Sequence, residues 1–524
     1  MLCVANPEHL TYSYPPLTIT ILGGIKLEGL DRMRATLKIS VEEKPALRHN
    51  LDLYNNLQVE KLVRRIAERL EIGSSLIAEA LSELTEALED YRMEAIEKQN
   101  RIEDKRKYLS PEEIKKARQY LSAPNLMQRT QEDIGKAGVI GEDTNRLLMY
   151  LIFTSRKRDN PLHVISLGSS GIGKTHLQEK VSALIPEEDK LEITTLSGNA
   201  FYYFGQHELK NKLILIEDLD GAEDVLYPLR EIQSKKHITK TIVVKNTRGE
   251  TKTVTLKVEG PVSVAGCTTK ESLYEDNANR SFLIHIDESK TQDQNIMNYQ
   301  RKHSAGKIDH AEEHQIRELL KNTQRILQPV QIRNPYAETL HIPEEILKPR
   351  RTNAHYLAFI EAVTFYHQYQ REPEADSQTG EVYINTTLED IEAANHLMKE
   401  VLLRKSDTLS GACRSYFEHL KYWLGQENKT TFTNREIRNH LRIKGTTLRR
   451  YHNQLLDNFM ITIKSGKQAT GYTYEITNPE EYQNLKATID RVLDEILTVQ
   501  KTKQASKPPV SHRRNGSPKT KKTS

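Results

Sequence analysis

Cysteine is scarce in this 524-residue chain, and the three present, Cys3, Cys267 and Cys413, stand far apart. They form no CxxC pair, so a zinc site or a disulfide framework is excluded, and a reducing cytoplasm is the expected compartment. Long apolar runs are missing too. Nothing approaches the ~18 residues that cross a bilayer. Met1–Pro16 lacks the basic and apolar regions of a secretory signal. What remains is a polar but foldable chain, 37% hydrophobic and 28% charged, long enough for several domains. The net charge of +4 is uneven: eight Lys or Arg and no acid follow Gln500, and subtracting them leaves −4 for residues 1–500.

Periodicity divides the chain into six expected segments. Residues 1–50 hold two short strands, Leu17–Leu22 and Ala35–Val41, too few for a full sheet. Residues 51–125 are helical, with Val59, Leu62, Val63, Ile66 and Leu70 at helical spacing. Ser110-Pro111-Glu112-Glu113 starts a helix, the serine as cap and the acids at the positive dipole end. Residues 126–330 alternate strands with helices, the pattern of a parallel α/β sheet. Residues 331–410 form a helical lid or linker. Residues 411–480 are a compact helical unit ending in a hairpin. Residues 481–524 are a helix and a basic tail rich in Pro and Ser.

The strongest motif follows the apolar strand His163–Leu167. It reads Gly168, Ser169, Ser170, Gly171, Ile172, Gly173, Lys174, Thr175, and a helix follows. This is the G-x-x-x-x-G-K-[ST] loop, whose glycines let successive N–H groups curl around an anion at a helix N-terminus. Lys174 reaches the β- and γ-phosphates of ATP, and Thr175 ligates Mg²⁺. A second apolar strand, Lys212–Ile216, ends in Glu217-Asp218. Hydrolysis needs a carboxylate there to hold the Mg²⁺ shell and another to polarise water. By position Glu217 takes the metal side and Asp218 the water side, although the order is the reverse of the usual Asp-Glu.

Two β-rich runs, Thr239–Lys245 and Thr251–Val258, are expected to form a hairpin. Lys245 and Arg248 make it basic, fit either for nucleic-acid phosphates or for a solvated edge. The strand Pro261–Ala265 leads to Thr268, which could orient the attacking water. Arg280 precedes a further apolar strand and could neutralise the γ-phosphate of a neighbouring subunit. Near the C-terminus, Thr433 caps a helix, a Gly445 turn follows, and a second helix carries Thr447, Arg449, Arg450 and Asn453. A hairpin with Lys464 and Lys467 closes the unit. This is the pattern of a helix-turn-helix with a wing, a DNA-binding or protein-docking module.

Taken in order, these residues resemble the AAA+ ring ATPases with a hairpin before the sensor strand, including superfamily 3 and minichromosome-maintenance helicases. More closely, they resemble the helicase-like half of zinc-finger primase-type proteins on mobile elements of Bacteroides-type hosts. Leu126–Arg129, Phe201–Gly205, Leu229–Ser234, Asn334–Ala337 and His367–Arg371 carry that likeness beside the motifs above. The resemblance implies an α/β P-loop ATPase with flanking helices and a C-terminal winged helix, bound to ATP and Mg²⁺, forming a homo-oligomeric ring on single-stranded, forked or duplex DNA. It also implies Arg350 or Arg351 as a second sensor. The upstream zinc finger and Toprim domain of such proteins have no counterpart in clustered Cys or His, so the resemblance implies either the ATPase partner of a primase or a shortened form, and primer synthesis is not expected from this chain alone. The leading expectation is therefore a helicase-like replication protein of a mobile element. The alternative is a nucleotide-switched DNA-binding regulator or helicase loader, and a metabolic P-loop kinase ranks last.

Overall fold

The structure is a computed structural model that describes residues 2–26, 32–41, 44–100, 107–168, 170–194, 198–245, 251–269, 280–467 and 471–505. It divides into two units, Met1–Arg106 and Lys107–Ser524.

In the first unit, β1 (Leu2–Asn6), β2 (His9–Tyr14), β3 (Leu17–Leu22), β4 (Arg34–Ser40) and β5 (Leu47–Asp52) form a five-stranded antiparallel meander. Alternation puts Leu10, Tyr12, Ile19, Ile21, Leu37 and Ile39 on one buried face. Helices α1 (Asn56–Leu70) and α2 (Ser74–Asn100) lay Leu62, Ile66, Leu70, Leu84 and Leu88 onto that face. Asn55 starts α1 by accepting a hydrogen bond from the Gln58 amide. The expected boundary at 50/51 therefore falls inside one core, because neither layer can bury its apolar side alone. The expectation of too few strands for a sheet is likewise overturned.

Helix α3 (Pro111–Ser122) belongs to the second unit, where it buries Ala117 and Leu121. The span 51–125 is thus split between two cores. Ser110 and Glu113 close a reciprocal capping box at the start of α3. Next come α4 (Leu126–Lys136) and α5 (Asp143–Thr154), the latter buried along most of its length. The strand β6 (Val164–Leu167) is followed by α6 (Lys174–Ser182), β7 (Lys190–Ile193) and β8 (Lys212–Ile216). Helix α7 (Glu223–Lys235) leads into the hairpin β9 (His237–Lys245) and β10 (Thr251–Glu259), and β11 (Val262–Thr268) and β12 (Phe282–His285) complete the sheet. The order is β12-β6-β11-β8-β7, and every pairing is parallel. Strands buried on both faces explain the unbroken apolar run LILI and the run VISL, which only the buried Ser166 interrupts.

Helices α8 (Lys290–Ser304) and α9 (His310–Ile326) follow, and Lys157 Nζ closes the end of α9 by donating to the carbonyls of Gln324 at 2.6 Å and Leu327 at 3.0 Å. Between β13 (Gln331–Arg333) and the short pair β14 (Glu374–Ala375) and β15 (Val382–Asn385) lies α10 (Pro349–Tyr366); α11 (Leu388–Ser406) comes next. The expected 331–410 lid is not separate. Phe359 of α10 packs on Phe282 of β12 at 5.6 Å between ring centres, and both helices share the core under the parallel sheet.

The C-terminal module contains α12 (Gly411–Gln426), β16 (Thr431–Thr433), α13 (Asn434–Leu441), α14 (Gly445–Asp457), β17 (Ile461–Lys467) and β18 (Gly471–Ile476). The three strands pair antiparallel in the order β16-β18-β17 and enclose a core of their own around Phe417, Trp423, Phe432, Leu448 and Leu455. Finally α15 (Glu481–Ala505) returns to the larger core through Ile489, Leu493 and Ile496. Arg414, 1% exposed, ties the junction: it donates to Asp407 at 2.8 and 2.6 Å and to Glu481 at 2.9 Å. No helix among the described residues is long and apolar enough to cross a membrane.

Candidate nucleotide-binding site

The end of β6 turns through the glycine loop into α6, and the backbone there accepts only glycine. Gly168, Gly171 and Gly173 have φ of 150°, 86° and 97°. A Cβ on Gly168 would lie 2.1 Å from Ile172 Cδ1. The loop thus folds back on itself as an anion cradle must. Lys174 is 8% exposed, and its Nζ donates to the Gly168 carbonyl at 2.9 Å, so its ammonium is held inside the loop. Ser169, expected to join the cradle, lies outside the described residues. The residues present fit a triphosphate: a Cβ on Gly171 or Gly173 would meet nothing within 4 Å, so this part of the loop borders open space.

Parallel pairing brings the other expected groups to the same end of the sheet. Strand β11 lies between β6 and β8, with Thr268 opposite Leu167 and Gly266 opposite Ile216. On β8, Leu213 and Leu215 face the core shared with Leu177 and Val181 of α6, while Ile214 and Ile216 face the core shared with Val225 of α7. In phase with this alternation, Glu217 stands on the α6 side. Asp218 Oδ1 accepts from the Asp220 amide at 2.8 Å and so caps the turn Leu219–Gly221. Both carboxylates are exposed at the sheet edge.

Two residues that sequence reasoning passed over complete this edge. Asp220 accepts from Thr268 Oγ1 at 2.5 Å, from the Thr269 amide at 3.1 Å and from Thr269 Oγ1 at 2.8 Å. It therefore holds the tip of β11 to the acidic turn. Cys267 is buried one position earlier, and burial pushes its thiol up to about 11, with the Thr175 hydroxyl and the Lys174 charge pulling the other way and Asp218 adding to the rise. Its Sγ lies 3.6 Å from Gln178 Oε1, whose amide in turn donates to the Ile216 carbonyl at 3.2 Å. A thiol thus sits beneath the cradle where Thr175, Lys174 and Asp218 converge.

A cavity of about 420 Å³ opens beside Gly173. Its apolar walls include Val139, Ile140, Ile172 and Leu177, and His176 and Tyr299 supply polar groups. The size and mixed lining suit a nucleoside next to a phosphate cradle. Burial raises the Glu142 carboxyl in this wall, and Glu142 accepts from Asn145 at 2.6 Å and from the Asp287 amide at 2.7 Å. The cavity could not be read from the sequence, because four separate segments build it.

Arg280 is not part of this edge. It precedes β12, whose first residue Phe282 pairs with Val164, whereas the cradle begins after Leu167. The four residues of β6 separate the two ends by about 13 Å at ~3.3 Å per residue. Arg280 Nε donates to Ser234 Oγ at 3.0 Å. Arg350 and Arg351, either of which was expected as a second sensor, stand in the first turn of α10, one to two turns before His355, whose ring stacks on Phe282 at 5.3 Å.

The expected DNA contacts divide. The Lys245 side chain and all of Arg248 lie outside the described residues. Thr447, Arg449, Arg450 and Asn453 lie on α14, with Arg449, Arg450 and Asn453 exposed opposite the buried Leu448, His452 and Leu455. Lys464 is paired with Glu475 at 3.1 Å, and Lys467 ends β17.

Residues 109–329 match a family described as the MTBMA_p00010 P-loop domain. No curated protein matches the chain. Among solved structures, a candidate ATPase from Cytophaga hutchinsonii is similar at 16% identity and a TM-score of 0.31, over 56% of this chain and 96% of that one. A full-length MCM homologue from Methanopyrus kandleri is similar at 12% identity and a TM-score of 0.36, over 77% of this chain and 75% of that one. The family match covers the cradle, the acidic turn and the parallel sheet together. This part of the chain is an α/β P-loop NTPase domain.

Proposed function

We propose that the chain is an ATP-driven motor on DNA, a helicase-like replication protein that works as a ring. The observation that carries this reading is the division of the site between the two ends of the sheet. The cradle, Thr268 and the Glu217-Asp218 turn stand at one end, and Arg280 at the other. An arginine so placed can complete a nucleotide site in a neighbouring copy, which is the logic of a ring ATPase.

In this reading Lys174 exchanges the Gly168 carbonyl for the phosphate oxygens of ATP, and the amides of the loop orient the chain of phosphates. Thr175 and Glu217 would hold Mg²⁺, which when bound neutralises charge on the phosphates. Asp218 orients the attacking water, and Asp220 keeps Thr268 in place beside it. The 420 Å³ cavity receives the nucleoside. The C-terminal module is a winged helix that touches DNA, and the hairpin β9–β10 faces the strand being moved. Primer synthesis is left to a primase, because this chain has no counterpart of the upstream zinc finger and Toprim domain of the mobile-element proteins the sequence resembles.

The test is ATP hydrolysis alone, with single-stranded DNA and with duplex DNA, beside Lys174→Ala. Strong stimulation by single strands, lost in the variant, supports the motor. Slow hydrolysis indifferent to DNA refutes it and favours a nucleotide-switched DNA-binding regulator.

A further inference from the structure

We infer that the concave face between α13, the turn after it and the start of β18 is a binding site for the phosphate backbone of duplex DNA, apart from the exposed face of α14. The inference rests on reading the C-terminal module as a DNA-binding one, and it locates the contact. A groove of about 1070 Å³ lies there, lined by Arg435, Arg438, Arg442 and Lys444 with Asn434 and Tyr472. No carboxylate is among its lining residues.

The groove gathers four cations without an ion pair around one concavity, whereas α14 carries two such cations, Arg449 and Arg450, on an exposed face. Elsewhere on the module lysines are neutralised: Lys421 by Glu418 at 2.7 Å, Lys429 by Glu436 at 3.1 Å and Lys464 by Glu475 at 3.1 Å. The four cations of the groove have no ion pair among the described residues. Like charges gathered without a counter-charge repel one another, and the arrangement is explained if an anion completes it. Three of the four are arginines, whose planar fork matches phosphate oxygens in a bidentate way.

Spacing and backbone agree with this. Arg435, Arg438 and Arg442 follow at i, i+3 and i+7, so they line one side of α13. At ~1.5 Å rise per residue the row is about 10 Å long. One strand of duplex DNA carries a charge every ~3.4 Å of axis, so the row spans roughly three phosphates. Arg442 closes α13 in the left-handed conformation, φ 52° and ψ 33°, where glycine is the favoured residue.

The experiment uses the full chain and a fluorescent duplex, with affinity followed by anisotropy across a salt series. Arg435→Gln, Arg438→Gln and Arg442→Gly combined should weaken binding and flatten log K against log salt by about 0.9 per lost contact. Arg435→Lys with Arg438→Lys should keep most of that slope. Arg442→Gly alone should bind DNA less while its melting temperature holds or rises, which separates lost contact from lost fold. The comparison set is Arg449→Gln with Arg450→Gln on α14. Parental affinity and slope in the groove variant would overturn the inference. If the α14 variant then loses binding, the module still contacts DNA and only the groove assignment falls. A parent chain that binds polyglutamate through this groove but no duplex also overturns it, whatever its ATP hydrolysis shows.

Discussion

Removing the Asp220 carboxylate should slow turnover far more than it loosens the fold. Asp220 accepts three hydrogen bonds from the tip of β11, the shortest from Thr268 at 2.5 Å. A bond to a charged acceptor contributes about 1.5–3 kcal/mol when shielded. Asp220 is only half-buried and water replaces part of what is lost, so Asp220→Ala should cost about 1–2 kcal/mol of stability. The effect on catalysis is larger in proportion, because Thr268 then loses the group that fixes its hydroxyl. Misplacing a catalytic group by about 1 Å reduces rates by up to roughly 100-fold, so kcat should fall 10- to 100-fold with KM for ATP little changed. The assay is steady-state hydrolysis by Asp220→Ala, Thr268→Ala and the double variant, with thermal unfolding in parallel. If Asp220 acts through Thr268, the double variant is no slower than Thr268→Ala alone. Losses that simply multiply would refute the argument.

Three further outcomes follow from the same structure. Arg280→Ala and Lys174→Ala should each be inactive alone, but mixing them should restore part of the activity if Arg280 serves a neighbour; no recovery in mixed rings would exclude that role. Burial lowers His163 and His355 from 6.5 to about 3 and His285 from 6.5 to about 4, so the unfolded chain binds protons that the folded chain refuses. Stability is then fully present above pH ~6.5 and declines as pH falls toward 4, by up to about 1.4 kcal/mol per unit for each histidine; a urea midpoint equal at pH 7 and pH 5 would contradict this. Of the three cysteines, Cys3 is exposed while Cys267 and Cys413 are buried, so a thiol reagent should find one fast group in the native chain and three in urea. A second fast thiol that peptide mapping assigns to Cys267 would show that the floor of the cradle opens to solvent.

The cradle was legible because its chemistry is local: strand, glycines, lysine and helix follow one another without interruption. The parallel sheet was legible for a similar reason, since strands buried on both faces leave continuous apolar runs. The N-terminal sheet was not. HLTYSY buries only Leu10 and Tyr12 and is half polar, and LRHNLD buries only Leu51 and is polar at four of its six positions. Such strands resemble loops until the helices that cover them are known. Asp220 was missed because its partners, Thr268 and Thr269, lie on another strand, and nothing in LDG marks it as a strut. The basic groove was not legible because its arginines, like Arg449 and Arg450 on the second helix, read in sequence as solvated surface, and only the fold gathers them with Lys444 around one concavity. Arginines 438 and 442 look like ordinary surface residues until Lys429 and Lys464 are seen to be neutralised.

The route of the chain through the C-terminal module has a mechanical consequence. The polypeptide leaves the large core at the end of α11 and re-enters it with α15, which packs against α11 through Ile489 and Leu493. Arg414 pins both crossings through Asp407 and Glu481. A module on one linker swivels freely, but one held at two points can only tilt about the line that joins them. Any sliding of α11 past α15 becomes a tilt of the module, with Arg414 as the fulcrum. A protease cut between 411 and 480 would leave two fragments that travel together, because each keeps its own grip on the core.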